Sequence, residues 1–253
     1  MNRRWILAGV TAAAALGWTG TSAAQEANGF GRQGQLILSA DRLVPVFSHS
    51  NVSVTRTENN VTTTTSQSGS STSLLFGRNV GVDTVHTIPR VAVDFTVIDR
   101  LTVGGALAFG FTLGGEVESE VGNVRRSIDT PSVTAIGLAP RVGYILPLGS
   151  VLAFWPRGGF AFYSVRTKVE RDGNNGRETD IDSDSVFSLD LDPQLAIIPL
   201  PHFFFSFGPL VNIPLTGSRN SEAIRGATTT TRTDDLSVFQ VGITASLGGW
   251  FDL

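Results

Sequence analysis

Between residues 101 and 114 the chain alternates with a period of two. Leu101, Val103, Gly105, Leu107, Phe109, Phe111 and Leu113 share one parity, and Thr102, Gly104, Ala106, Ala108, Gly110, Thr112 and Gly114 share the other. On a β-strand this puts large apolar side chains on one face and small or polar ones on the opposite face. The last segment repeats the pattern, with Phe239, Val241, Ile243, Ala245, Leu247, Phe251 and Leu253 set against Val238, Gln240, Gly242, Thr244 and Ser246. The same test along the chain predicts eight strands, near 35–47, 86–98, 101–115, 132–146, 151–166, 186–199, 203–216 and 236–253.

The connections between them alternate in length. Those at 98–100, 147–150 and 200–202 are short; those at 48–85, 116–131, 167–185 and 217–235 are long and hydrophilic. Thr-rich tracts at 61–73 and 228–233 read as solvated surface loops. A weak repeat marks successive hairpins: Pro89-Arg90-Val91, Pro140-Arg141-Val142 and Pro193-Gln194-Leu195 are followed by Gly104-Gly105, Gly158-Gly159 and Gly208-Pro209. Solenoid repeats do not alternate such unequal connections, so the period belongs to hairpins.

Composition sharpens this picture. Of 253 residues, 16% are charged, below the roughly 25% of an ordinary soluble domain. Cysteine is absent, which excludes a disulfide scaffold, a Cys-based zinc site and a thiol nucleophile. A net charge of −3 and a pI near 5.6 give no basic surface for nucleic acid. Residues 1–24 read as a signal peptide: Arg3 and Arg4 precede an apolar run, and Ser22 and Ala24 fit the small-x-small cleavage rule. Cleavage after Ala24 would leave Gln25 first and move the formal charge from −3 to −5. The apolar stretch 195–215 is no membrane helix, because Pro199, Pro201, Pro209 and Pro214 interrupt it.

The C-terminus carries the most specific pattern. In Ser246-Leu247-Gly248-Gly249-Trp250-Phe251-Asp252-Leu253, the residues Ser246, Gly248, Phe251 and Leu253 fill the polar, glycine, hydrophobic and hydrophobic positions of a closing-strand insertion signal. Over the mature chain the sequence thus resembles the small eight-stranded outer-membrane β-barrel proteins of Gram-negative bacteria, with a terminal Leu where many members have an aromatic residue. The resemblance implies an all-β, closed eight-stranded antiparallel transmembrane barrel with short periplasmic turns and long extracellular loops. Its implied partners are the barrel-assembly machinery, outer-membrane lipids and lipopolysaccharide, and its implied location is the cell outer membrane.

An eight-stranded barrel is just wide enough for side chains to fill. By parity its lumen receives Asp41, Arg90, Asp94, Arg141, Arg157, Asp190, Asp192, Gln194 and Gln240. Arg90, Arg141, Arg157 and Asp192 lie six to nine residues from the nearest short turn, roughly 15 to 20 Å up a tilted strand. They are expected to form one hydrogen-bonded ion-pair network, because isolated charges in a narrow cavity are expensive. The outward face is expected to carry Phe95, Tyr144, Phe154, Phe160, Phe162, Phe203, Phe205, Phe207 and Phe251 as an apolar band.

Few residues invite a chemical role. Ser48-His49-Ser50-Asn51 is similar to the His-x-Ser-Asn stretch of lipid A deacylase barrels, but Ser50 follows His49 directly, and neighbours on a strand face opposite ways. His49 is therefore read as a loop residue, His86 as the start of a strand and His202 as a turn residue. Asp180, Asp182 and Asp184, beside Glu178, read as a solvated acidic face with weak affinity for a cation as the alternative. Arg125, Arg126, Arg166, Lys168 and Arg171 are placed to meet lipopolysaccharide phosphates. No cofactor, metal or catalytic group is expected. The alternatives are a lipid-modifying barrel enzyme and a secreted soluble barrel holding an apolar ligand. Amino-terminal sequencing of the exported protein is expected to start at Gln25; a start at Met1 would remove the signal peptide.

Overall fold

The computed structural model describes residues 29–58, 61–72, 80–121, 124–173 and 176–253, so the signal peptide expected over 1–24 lies outside the described residues. The strands are β1 (Gln35–Glu58), β2 (Val61–Thr72), β3 (Arg90–Ile98), β4 (Leu101–Thr112), β5 (Gly115–Val121), β6 (Val124–Thr130) and β7 (Ser132–Tyr144). They continue with β8 (Leu146–Pro147), β9 (Leu152–Trp155), β10 (Arg157–Gly173), β11 (Gly176–Leu191), β12 (Gln194–Leu200), β13 (Phe203–Arg225) and β14 (Thr228–Asp252). One 3-10 turn, Val85–Thr87, precedes β3.

Eight strands close a ring. Its order is β1, β3, β4, β7, β10, β11, β13 and β14, which returns to β1, with every pair antiparallel. The short strands β8, β9 and β12 prolong β7, β10 and β11 towards the short turns. The breaks between β9 and β10 and between β11 and β12 fall at Pro156 and Pro193, which have no N–H for a ladder. Backbone bonds bridge them: Tyr144 N–H donates to Pro156 O at 3.0 Å and Asp192 N–H to Arg157 O at 2.8 Å. The eight expected strands are thus the eight staves of a closed barrel.

Face polarity follows the predicted parity. On β4, Phe109 is 67% exposed while its neighbour Ala108 is 3% exposed. Val91, Leu107, Phe111, Ile136, Leu138, Val142, Phe160, Phe162, Phe205, Phe207 and Ile243 also point outward and are exposed. The staves coil tightly at the repeated Pro and Gly positions. A Cβ on Gly159 would lie 2.0 Å from Pro140 O, and one on Gly208 would lie 2.0 Å from Pro193 O. Only glycine lets the next stave approach this closely, which gives the sequence repeat its physical basis.

Two expectations are corrected. The connections 48–85, 116–131, 167–185 and 217–235, read as loops, are largely β-structure among the described residues: β1, β10, β11, β13 and β14 run on past the ring, β2 folds back on β1, and β5 pairs with β6 as a separate hairpin. Cross-strand hydroxyl pairs line the β1–β2 ladder, including Ser53–Ser66 at 2.8 Å and Thr55–Thr64 at 3.1 Å. The end of the first long connection also does not stay outside. Val85 and His86 are fully buried in the lumen, with Thr87 and Ile88 nearly so, and β3 starts only at Arg90 after Pro89. This segment packs on Ala92, Ala106, Ala108, Ala135, Ala139 and Ala161, so the small inward residues make room for an inserted turn.

At the end with the short turns, Phe30 enters the lumen from the N-terminal side and meets Trp250 at 4.9 Å, Phe204 at 5.3 Å and Trp155 at 5.7 Å between ring centroids. Gly159→Val is expected to lower stability by about 1–3 kcal/mol or block folding, while Gly149→Ala, with nothing within 4 Å of its new Cβ, is neutral. Urea unfolding followed by tryptophan fluorescence compares the two, and equal midpoints would refute the close-approach role.

Candidate functional site

Between the aromatic cluster and the inserted turn lies a layer of buried charge. Arg141 from β7 grips Asp94 of β3 with a fork, Nε to Oδ1 at 2.9 Å and Nη2 to Oδ2 at 2.5 Å, and its Nη1 donates to Asp41 of β1. Arg157 from β10 reaches both oxygens of Asp41 at 3.3 Å and Asp192 at 2.7 Å. Gln194 Nε2 donates to Asp192, and Ser39 Oγ donates to Asp41 at 2.9 Å. Towards the inserted turn, Arg90 donates to Asp190 at 3.0 Å and to the Tyr163 hydroxyl at 3.2 Å. The residual void among these groups is about 10 Å³.

One member escapes sequence parity. Arg42 is fully buried and donates to both oxygens of Asp190, at 2.7 and 2.9 Å, and to the carbonyl of His86. Strict alternation would send Arg42 outward, since Asp41 points in. A bulge prevents this: Ala40 pairs with Leu247 and Val44 with Ala245, so Asp41, Arg42 and Leu43 share the space opposite Ser246. Arg42 adopts φ 56 there, and its N–H donates to Ser246 Oγ at 3.1 Å. With Arg42 included, four guanidinium groups face four carboxylates. The excess of luminal Asp over luminal Arg in the sequence was the signal that a cation was missing.

The other expected residues are placed as follows. Gln240 is buried in the lumen, but its side chain hydrogen-bonds no other protein group, so it stands outside the ion-pair layer. Ser246 and Gly248 of the C-terminal pattern face inward, while Phe251 and Leu253 are exposed. A Cβ on Gly248 would lie 2.5 Å from the Phe204 ring, so this glycine also seats a core aromatic. His86 is not a strand residue; its ring lies edge-on to Tyr163 at 5.1 Å. His202, at φ 63, turns β12 into β13, and its Nδ1 contacts Trp250 O at 3.1 Å. His49 lies on β1 rather than in a loop, and its Nδ1 is 2.8 Å from Ser70 Oγ of β2. The side chains of Arg125 and Arg126 lie outside the described residues.

Beyond the ring, the extended strands form a wall around an open cavity of about 1100 Å³. Val52, Val54 and Val82 lie on its lining near the inserted turn, and ion pairs lace the inner wall. Asp180 and Asp182 of β11 line this cavity, and the acidic residues of this strand are matched by β13: Asp184 with Arg219 at 2.7 Å, Asp182 with Ser221 at 2.6 Å, and Asp180 with Arg225 at 2.6 Å. Hydrogen bonding to Asp184 raises the pKa of Arg219 above its ordinary value. Among the described residues no group of three His, Cys, Asp or Glu side chains is arranged to hold a metal ion.

No family model matches the sequence, and no curated protein matches it. Among solved structures, the chain is similar to the outer membrane protein OprG from Pseudomonas aeruginosa, at 8% identity over 88% of this chain and 98% of that one, with a TM-score of 0.48. It is also similar to Ail, the attachment invasion locus protein of Yersinia pestis, at 9% identity over 85% of this chain and 99% of that one, with a TM-score of 0.30.

Removing one member of the charged layer should strand its partner. Arg141→Met leaves Asp94 without its guanidinium and is expected to cost about 3–5 kcal/mol, part of which the double variant Arg141→Met/Asp94→Leu recovers. A double-mutant cycle in urea checks this, and additive losses would mean that the two side chains do not interact.

Proposed function

We propose that this chain is an integral outer-membrane β-barrel protein of a Gram-negative bacterium, with a closed lumen and a structural or surface-binding role. One observation carries the reading: around the ring the outside is apolar and exposed, while the inside holds the charges. A soluble barrel has the opposite polarity, and soluble proteins rarely expose apolar patches beyond a few hundred Å². On β7 and β8 the outward apolar residues run from Ile136 to Leu146, which at a rise of about 3.4 Å and a tilt of about 45° spans roughly 25 Å, the height of a barrel's lipid-facing band. The short turns then face the periplasm, and the extended wall stands outside the cell.

The lumen suits a plug. Three layers fill it in turn: the Phe30 aromatic cluster, the balanced Arg and Asp pairs, and the inserted turn at 85–87. The void of about 10 Å³ among these charges holds at most one water molecule, which supports a layer closed to ions. Surface binding then falls to the wall and its cavity, and insertion to the closing strand with Ser246, Gly248, Phe251 and Leu253.

A lipid-modifying enzyme is the second reading, and the His49–Ser70 contact favours it. The pair lies on the outside of the ladder, but among the described residues no carboxylate hydrogen-bonds to His49 to orient it as a base. The non-catalytic role is therefore preferred.

Expressed with its leader in a Gram-negative host, the protein is expected in outer membranes as a band whose gel mobility shifts on boiling, with no defined conductance in planar bilayers. A soluble periplasmic band would overturn the membrane reading, and a reproducible large channel the closed lumen. A fluorophosphonate probe is expected to leave Ser70 unlabelled; labelling abolished by His49→Ala would establish the enzyme instead.

A further inference from the structure

The outer wall of the barrel carries a second feature, on the side opposite the cavity. On β7 the outward apolar run ends at Ile136, which pairs with Ser164 of β10. One step higher, Thr134 pairs with Arg166, and one step above that Ser132 pairs with Lys168. These residues border a groove of about 390 Å³, closed on its other side by Ile181 of β11 and Ile224 of β13. The groove therefore sits where the lipid-facing band gives way to polar side chains.

Its lining carries two cations, Arg166 and Lys168, and no carboxylate, while Glu170 and Asp129 stand beside Lys168 at the adjoining hollow. The other arginines of the extended wall with described side chains, Arg56, Arg171, Arg219, Arg225 and Arg232, each have a carboxylate within 4 Å. Arg166, among the described residues, has none. Lys168 touches Glu170 at 2.5 Å, but it is 46% exposed, and an ammonium group keeps further donors for a second acceptor. Two cations two residues apart on one strand, with the hydroxyls of Ser132 and Thr134 beside them, match a phosphate group, which accepts from a guanidinium fork and a point charge together. Ile181 and Ile224 supply the apolar contact that a free phosphate could not use.

We propose that this groove binds the phosphate-bearing headgroup of an outer-leaflet lipid, with Arg166 as the principal contact and Lys168 as the second. The proposal rests on the outer-membrane reading above, since it places the groove at headgroup height.

The test uses the full mature chain in nanodiscs and native mass spectrometry, with diphosphorylated lipid A and its dephosphorylated form as probes. The wild type is expected to retain the phosphorylated probe preferentially. Arg166→Gln/Lys168→Gln is expected to reduce that retention roughly tenfold without changing retention of the dephosphorylated form. Arg166→Lys should recover part of the loss, and Arg56→Gln, on the inner wall, should change nothing. Equal retention of both probes by the wild type, or undiminished retention by the double variant, would overturn the groove while a heat-shifted membrane band leaves the barrel reading intact. Displacement by millimolar inorganic phosphate alone would overturn the lipid as its source. A wild type that is soluble and holds neither probe would sink both readings together.

Discussion

Four arginines and four aspartates cancel one another inside a barrel too narrow to hydrate them. Each guanidinium of this layer answers a carboxylate from a different stave: Arg141 on β7 with Asp94 on β3, Arg157 on β10 with Asp192 beyond β11, Arg90 on β3 and Arg42 on β1 with Asp190 on β11. Burying any one of them alone would be costly, so the charges are tolerable only when the staves hold one register. The layer thereby ties together strands far apart in sequence. It also dictates local backbone: the bulge at Asp41 and Arg42 exists where two consecutive charged side chains must both turn inward.

That layer organises what lies on either side of it. Above it, the carbonyl of His86 receives Arg42, so the inserted turn is fastened to the charged layer rather than merely packed against alanines. Below it, Trp155 stacks under Arg157 at 4.7 Å, joining the charges to the aromatic cluster around Phe30. Glycine is the counterpart of these bulky groups. Gly248 yields its place to the Phe204 ring, so a residue of the C-terminal pattern also serves the packed interior of the closed barrel.

The extended wall obeys a different rule. Above the ring one face meets solvent and the other an open cavity whose lining mixes charged side chains with valines such as Val52 and Val54, so neither face must be uniformly apolar. The strands persist because their backbone ladders are paired and their side chains match across strands, as in Thr55 with Thr64 and Asp184 with Arg219. Without a continuous apolar face the hydrophobic period is too weak to read. A Thr-rich strand then looks like a Thr-rich loop.

The sequence by itself determined the period of two, the eight staves, the side on which the large apolar residues stand, and the luminal parity of Asp41, Arg90, Asp94, Arg141, Arg157, Asp190, Asp192, Gln194 and Gln240. Alternation is a local property, and it survives wherever a strand separates two unlike environments. The tertiary structure alone decided the inward turn of Arg42, the insertion of His86, the isolation of Gln240 from the ion pairs and the strand character of the wall. It also brought Arg166, Lys168, Ile181 and Ile224 to one groove. Bulges reset parity, and only pairing with a neighbouring strand shows where the extra residue goes. Contacts between β7, β10, β11 and β13 depend on how the ring closes, which no window of sequence contains.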